Sequence, residues 1–179
     1  FGSKEMTGVD PSAADTVVSV IARAAVADKP MVVTEWNATT PTEFKADVIF
    51  ETVAYASLQG WDGFCLFVYS FEGDKDFFFL TNEYTSFFNS NCDPAMWAQF
   101  GMASAIFRLG LIKEAENTIE YALTDEDILA GTSEYHIVPR NSVYVSKIVH
   151  KFIGDAYEGD ADLVISSGNT SSGDYSKAK

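Results

Sequence analysis

The chain is expected to fold as an α/β protein built on parallel strands. Two short apolar runs that stop abruptly in polar residues, with one long amphipathic segment between them, predict this class. Met31-Val32-Val33 is opened by Pro30 and stopped by Thr34-Glu35-Trp36-Asn37. Gly63 to Ser70 is a second apolar run, rich in aromatics. Residues 39–60 carry Phe44, Val48, Ile49, Val53 and Ala56 at helical spacing. Strand, helix of about six turns and strand make a βαβ unit, and a connection of that length makes the two strands parallel.

Taken in order, residues 1–10 show no periodicity and read as a loop. Asp10-Pro11-Ser12 supplies a start signal for a helix through Ala27, with Val17, Val20, Ile21 and Ala24 inside. The run at 31–33 reads as a strand buried on both faces. Glu35 stands where that strand leaves the core, because an unpaired carboxylate inside it would be strongly disfavoured. Trp36 and Asn37 flank it with an aromatic plate and an amide. Thr40-Pro41-Thr42-Glu43 opens the long helix and Gly60 closes it. The following strand also ends in polar and acidic residues, Ser70, Glu72 and Asp74.

Residues 71–93 form a long loop in which Phe77, Phe78, Phe79, Tyr84, Phe87 and Phe88 alternate with carboxylates and amides. Rings that stack on C–H faces beside groups that bond hydroxyls suit a sugar; the same run could equally pack as a short strand over 77–80. Asp93-Pro94 starts a helix over 95–109, stopped by Gly110. An extended segment over 113–121, a capped acidic turn at 124–127 and a strand over 135–138 follow. Val145, Ile148, Val149 and Phe152 predict a helix capped by Asn141 or Ser142, and 162–165 reads as a last strand. One α/β domain over 1–165 and a frayed Ser/Gly-rich tail over 166–179 complete the reading.

The formal charge of −14 over 179 residues argues against nucleic acid and against anionic membrane surfaces. A neutral glycan is compatible with it. No apolar run is long enough to span a bilayer, so no membrane partner is expected. His136 and His150 are isolated, no metal-ligand spacing occurs and no phosphate-binding loop is present, so no cofactor is expected. Cys65 reads as a small buried hydrophobe in its strand, and Cys92 lies in a polar loop.

The order Thr34-Glu35-Trp36-Asn37, a long helix ending Leu58-Gln59-Gly60-Trp61-Asp62-Gly63, and an aromatic strand ending Tyr69-Ser70 resembles the last two βα units of a clan-A glycoside hydrolase barrel. The resemblance covers residues 29–111. It implies a (β/α)8 (TIM) barrel, here partial, acting on an oligo- or polysaccharide, with Glu35 as the nucleophile of a retaining hydrolase and Trp61 and Tyr69 near the sugar. A whole barrel needs about 250 residues, so the chain would be the last βα units with a carboxyl-terminal extension, or a smaller α/β domain with the same motif. A retaining enzyme needs a second carboxyl about 5–5.5 Å from the first. In the family that acid/base follows strand four in an Asn-Glu pair; Asn82-Glu83 lies on a different loop. Glu72 would come near Glu35 if the two strands are neighbours, or it belongs to the acidic surface. The alternative is a non-catalytic glycan-binding domain that works through the 71–91 loop and Tyr84. An open sheet edge would favour self-association or pairing with the rest of a barrel.

Overall fold

A computed structural model describes residues 17–40, 45, 47–70, 86–130, 140–154 and 157–166. The fold is α/β with small parallel sheets. The elements run α1 (Val17–Ala22), β1 (Val32–Trp36), α2 (Asp47–Leu58), β2 (Gly63–Leu66), α3 (Pro94–Arg108), β3 (Thr118–Leu123), α4 (Asp125–Ala130), a 3₁₀ turn (Arg140–Tyr144), β4 (Lys147–Phe152) and β5 (Leu163–Ser166).

The expected βαβ unit is present, with β1 and β2 paired in parallel and α2 between them. α2 buries Val48, Ile49, Thr52, Val53 and Ala56, the stripe that its apolar spacing defines. α3 packs beside it. Pro94 opens α3 behind the N-cap Asp93, whose carboxylate accepts from the Met96 N–H at 2.9 Å. Gly110, at φ +60°, lets the chain turn out of that helix.

The second sheet has the order β4-β3-β5, all parallel. Its edge is extended by an isolated parallel bridge from Val26 to His150, with the Ala27 N–H on the His150 carbonyl and the His150 N–H on the Ala25 carbonyl. The segment entering β1 is therefore hung on β4. Gln59, at the end of α2, joins the two halves. Its amide donates at 2.7 Å to the carbonyls of both Val143 and Ser146, and its Oε1 accepts from the Ile148 N–H at 2.9 Å.

Several sequence expectations need correction. Residues 147–152, expected as helix, are the strand β4. Its apolar positions mimic a helical period because a strand flanked on both sides buries neighbouring side chains; Ile148, Val149 and His150 are all buried. The first helix ends at Ala22 rather than Ala27, since Val26 is taken up by the bridge to β4. The extended segment expected over 113–121 settles as β3 over 118–123, and the acidic turn caps α4 through reciprocal Thr124–Asp127 hydrogen bonds. β1 is not buried on both faces: Val32 is 50% exposed. Cys65 is exposed rather than buried in its strand, Cys92 is buried, and no disulfide joins the two. The strands proposed over 77–80 and 135–138 and most of the 166–179 tail lie outside the described residues. No helix among the described residues is long and apolar enough to cross a membrane.

Candidate functional site

Parallel α/β sheets place ligand chemistry at the carboxyl ends of their strands. In this chain that end of β1 is shaped by an irregularity. Val33 pairs with Phe64 and Trp36 pairs with Leu66, so three steps along β1 match two along β2. The extra residue is a β-bulge, which breaks the alternation of the strand. Val33 and Trp36 are both buried in consequence, while Thr34 and Glu35 between them are exposed. The bulge thus frees the carboxylate from the core without ending the strand early.

Trp36 is itself only 4% exposed and sits edge-on to Phe64, with ring centroids 6.1 Å apart. It is a core residue rather than the plate beside Glu35 that the sequence suggested. The neighbouring Asn37 donates from Nδ2 to the Phe88 carbonyl at 2.6 Å. Beyond β2, the Phe67–Val68 peptide is cis. The Phe67 N–H donates to the Trp36 carbonyl at 2.7 Å, so the two strand exits remain side by side.

A turn over 86–93 braces both exits. The Val68 N–H donates to Phe88, the Ser90 N–H donates to Val68 and Tyr69, the Ser90 hydroxyl donates to Val68 at 2.9 Å, and the Asn91 N–H donates to Tyr69 at 2.9 Å. The Ser90 carbonyl in turn accepts from Trp97 Nε1 at 2.8 Å, and the Trp97 ring meets Tyr69 edge-on at 5.2 Å. Tyr69 is thereby held between strand exit and helix, on the same end of the sheet as Glu35. Lys45, almost fully buried, reaches Asp93 at 3.7 Å and donates to the Thr40 hydroxyl at 2.8 Å. An otherwise isolated buried cation is thus paired at the base of α3.

Among the described residues, three buried polar atoms of this end have no hydrogen-bond partner: Trp36 Nε1, Asn37 Oδ1 and Asn91 Oδ1. Buried polar groups are paired in the large majority of cases, so such exceptions mark places to look for a ligand or a mechanism. The bracing roles of Ser90, Asn91 and Trp97 are not visible in the sequence, where Asn91 is one amide of the aromatic loop and Trp97 one apolar residue of the helix over 95–109. The polar run Asn89-Ser90-Asn91 immediately before Asp93-Pro94 was the available signal, since so many amides beside a helix start must find buried partners.

Trp61 does not join this group. It precedes β2, whereas Glu35 ends β1, and the parallel register sets Val32 opposite Gly63 at the amino end. Trp61 is therefore at the opposite end of the sheet from Glu35, buried in the core. Glu72 and Tyr84 lie outside the described residues, as does most of the aromatic loop. Among the described residues no group of three or more His, Cys, Asp or Glu side chains is arranged to hold a metal ion. No family model matches the chain, and neither does any curated protein or solved structure.

Proposed function

We propose that the β1–α2–β2 unit is the closing part of a retaining glycoside hydrolase barrel, with Glu35 as its nucleophile and a glycan as its substrate. The observation that carries this reading is the bulge, which delivers Glu35 exposed at the carboxyl end of a parallel strand while its neighbours Val33 and Trp36 stay in the core. In this reading the ionised carboxylate attacks the anomeric carbon and the leaving oxygen takes a proton from a second carboxyl group. Water then releases the sugar from the covalent ester, with the same second group acting as base. Tyr69 lies at the same end and offers a ring for the sugar face. The remainder of the barrel would supply the second carboxyl and cover the open side of β1.

The test is turnover of an aryl glycoside by the full-length protein carrying Glu35→Gln, together with its melting curve. Lost turnover with an intact melt supports the assignment; retained turnover removes it.

A second reading, a glycan-binding domain without catalysis, is favoured by Phe87. This ring is 56% exposed and leans on Phe88 at 4.3 Å, an arrangement suited to stacking on a sugar. Under that reading Phe87→Ala abolishes glycan retention and Glu35→Gln does not.

A further inference from the structure

The amino end of the sheet carries a separate cavity of ≈ 520 Å³ between the last turn of α2, the end of α3 and the loop after it. Trp61 and Phe107 give it aromatic walls, and Ser57, Arg108 and Lys113 also line it. Its polar inventory is one-sided. Trp61 Nε1 and Ser57 Oγ are buried and have no partner among the described residues. Among those residues neither Arg108 nor Lys113 forms an ion pair, in a chain whose acids outnumber its bases 26 to 12.

The two acids on the lining are already committed. Glu114 is paired with Lys147, and Asp62 accepts from the Met31 N–H at 2.8 Å. The helix ends do not claim the cations either. The last carbonyls of α2 accept from Gly60, Trp61 and Ala115, and those of α3 accept from Leu109, Gly110 and Leu111. What remains is two cations beside an aromatic-walled space, and two of its lining residues, Trp61 and Ser57, carry buried polar atoms that lack a partner among the described residues. That set calls for an anionic acceptor carried on a compact body with an apolar face.

We infer that this cavity is a binding site for a small organic carboxylate borne on a ring, distinct from the carboxyl-end site and independent of any catalytic role for Glu35. The carboxylate lies between Arg108 and Lys113, where guanidinium and ammonium donors form charge-assisted hydrogen bonds, and the ring lies against Trp61 and Phe107.

Benzoate and glucuronate are the probes, titrated into the whole chain while the Trp61 indole N–H resonance is followed by NMR. That resonance is assigned from its loss in Trp61→Phe. Both probes shift it saturably, added salt weakens them, and benzyl alcohol and glucose leave it in place. In Arg108→Gln/Lys113→Gln, which alters only exposed side chains, the dissociation constants rise by about tenfold or more. An indole that does not move, an affinity unchanged in the double variant, or neutral probes that bind as well as the acids would each overturn the site. Tighter binding of inorganic phosphate than of benzoate would overturn the carboxylate assignment.

Discussion

At the amino end of the β1–β2 pair, Gln59 commits every hydrogen-bonding atom it offers to the core: two carbonyls and one N–H of the second half are satisfied by one side chain that is 1% exposed. At the carboxyl end, Asn37 commits only its Nδ2, and its Oδ1 is buried without a partner among the described residues. The two are both carboxamides close to the ends of one sheet. Gln59 behaves as a joint, in which removing any contact strands a group. Asn37 behaves as a residue whose capacity is held in reserve. A buried polar network that closes on itself specifies a fold, whereas one left open is where a ligand can add the missing partner.

The largest effect that would break or sharpen this contrast concerns Glu35, the exposed acid of the open end. In the full-length protein Glu35→Gln should lower glycoside turnover by about 10⁴-fold or more, the scale expected when a covalent step is lost. Its unfolding free energy should move by less than about 0.5 kcal/mol, as for other surface substitutions. A large loss of stability would turn the open end into another structural joint.

The next effect is Gln59→Leu, which keeps the bulk and removes the three hydrogen bonds. The carbonyls of Val143 and Ser146 and the Ile148 N–H lose these partners, for a destabilisation of about 3 kcal/mol or more. Urea unfolding is the measurement, and an unchanged midpoint would show that water or a local shift replaces the amide.

Asn37→Leu is the matched experiment at the other end and should cost under about 1 kcal/mol. Phe88 retains the Val68 N–H on its carbonyl, and the buried unpartnered oxygen disappears with the substitution. Equal losses for Gln59→Leu and Asn37→Leu in the same urea assay would dissolve the distinction between the two ends.

The smallest effect is a pH dependence confined to the joint. Burial holds His150 below its ordinary value of 6.5, opposed by the contact of its Nδ1 with the Ala25 carbonyl at 3.3 Å. The unfolded chain therefore takes up the proton first as pH falls. The contribution of His150 is fully present above pH 6.5 and declines below it until the folded form also protonates. His150→Gln should flatten that part of the stability profile, measured as urea midpoints at several pH values on either side of 6.5. Identical slopes for the two proteins would remove His150 as the titrating group.

The βαβ unit was legible because its signals were local. Asp93-Pro94 marks the start of α3, Gly110 marks its end, and the apolar stripe of α2 repeats as a helix must. The exposed position of Glu35 was legible for the same reason, since a carboxylate after an apolar run has to leave the core. The second sheet was not. Val145, Ile148, Val149 and Phe152 are spaced as on a helix, and only partners distant in the chain, β3 on one side and Val26 on the other, make 147–152 a strand. The burial of Trp36 was not legible because the apolar run stops at Val33, whereas the bulge returns the chain to the core three residues later. Gln59 carries no signal at all in sequence: its three partners are more than eighty residues away.

The bulge also makes the number of residues in β1 matter separately from their identity. A substitution at Thr34 leaves the spacing between Val33 and Trp36 intact, so Glu35 stays where it is. Loss of Thr34 would restore a regular ladder with Glu35 still out and Trp36 still in, but it would remove the local bend that sets the direction in which Glu35 leaves the sheet. This strand should thus tolerate exchange of letters far better than a change in their count, and insertions or deletions between Val33 and Trp36 should be rarer in functional variants than substitutions at the same positions.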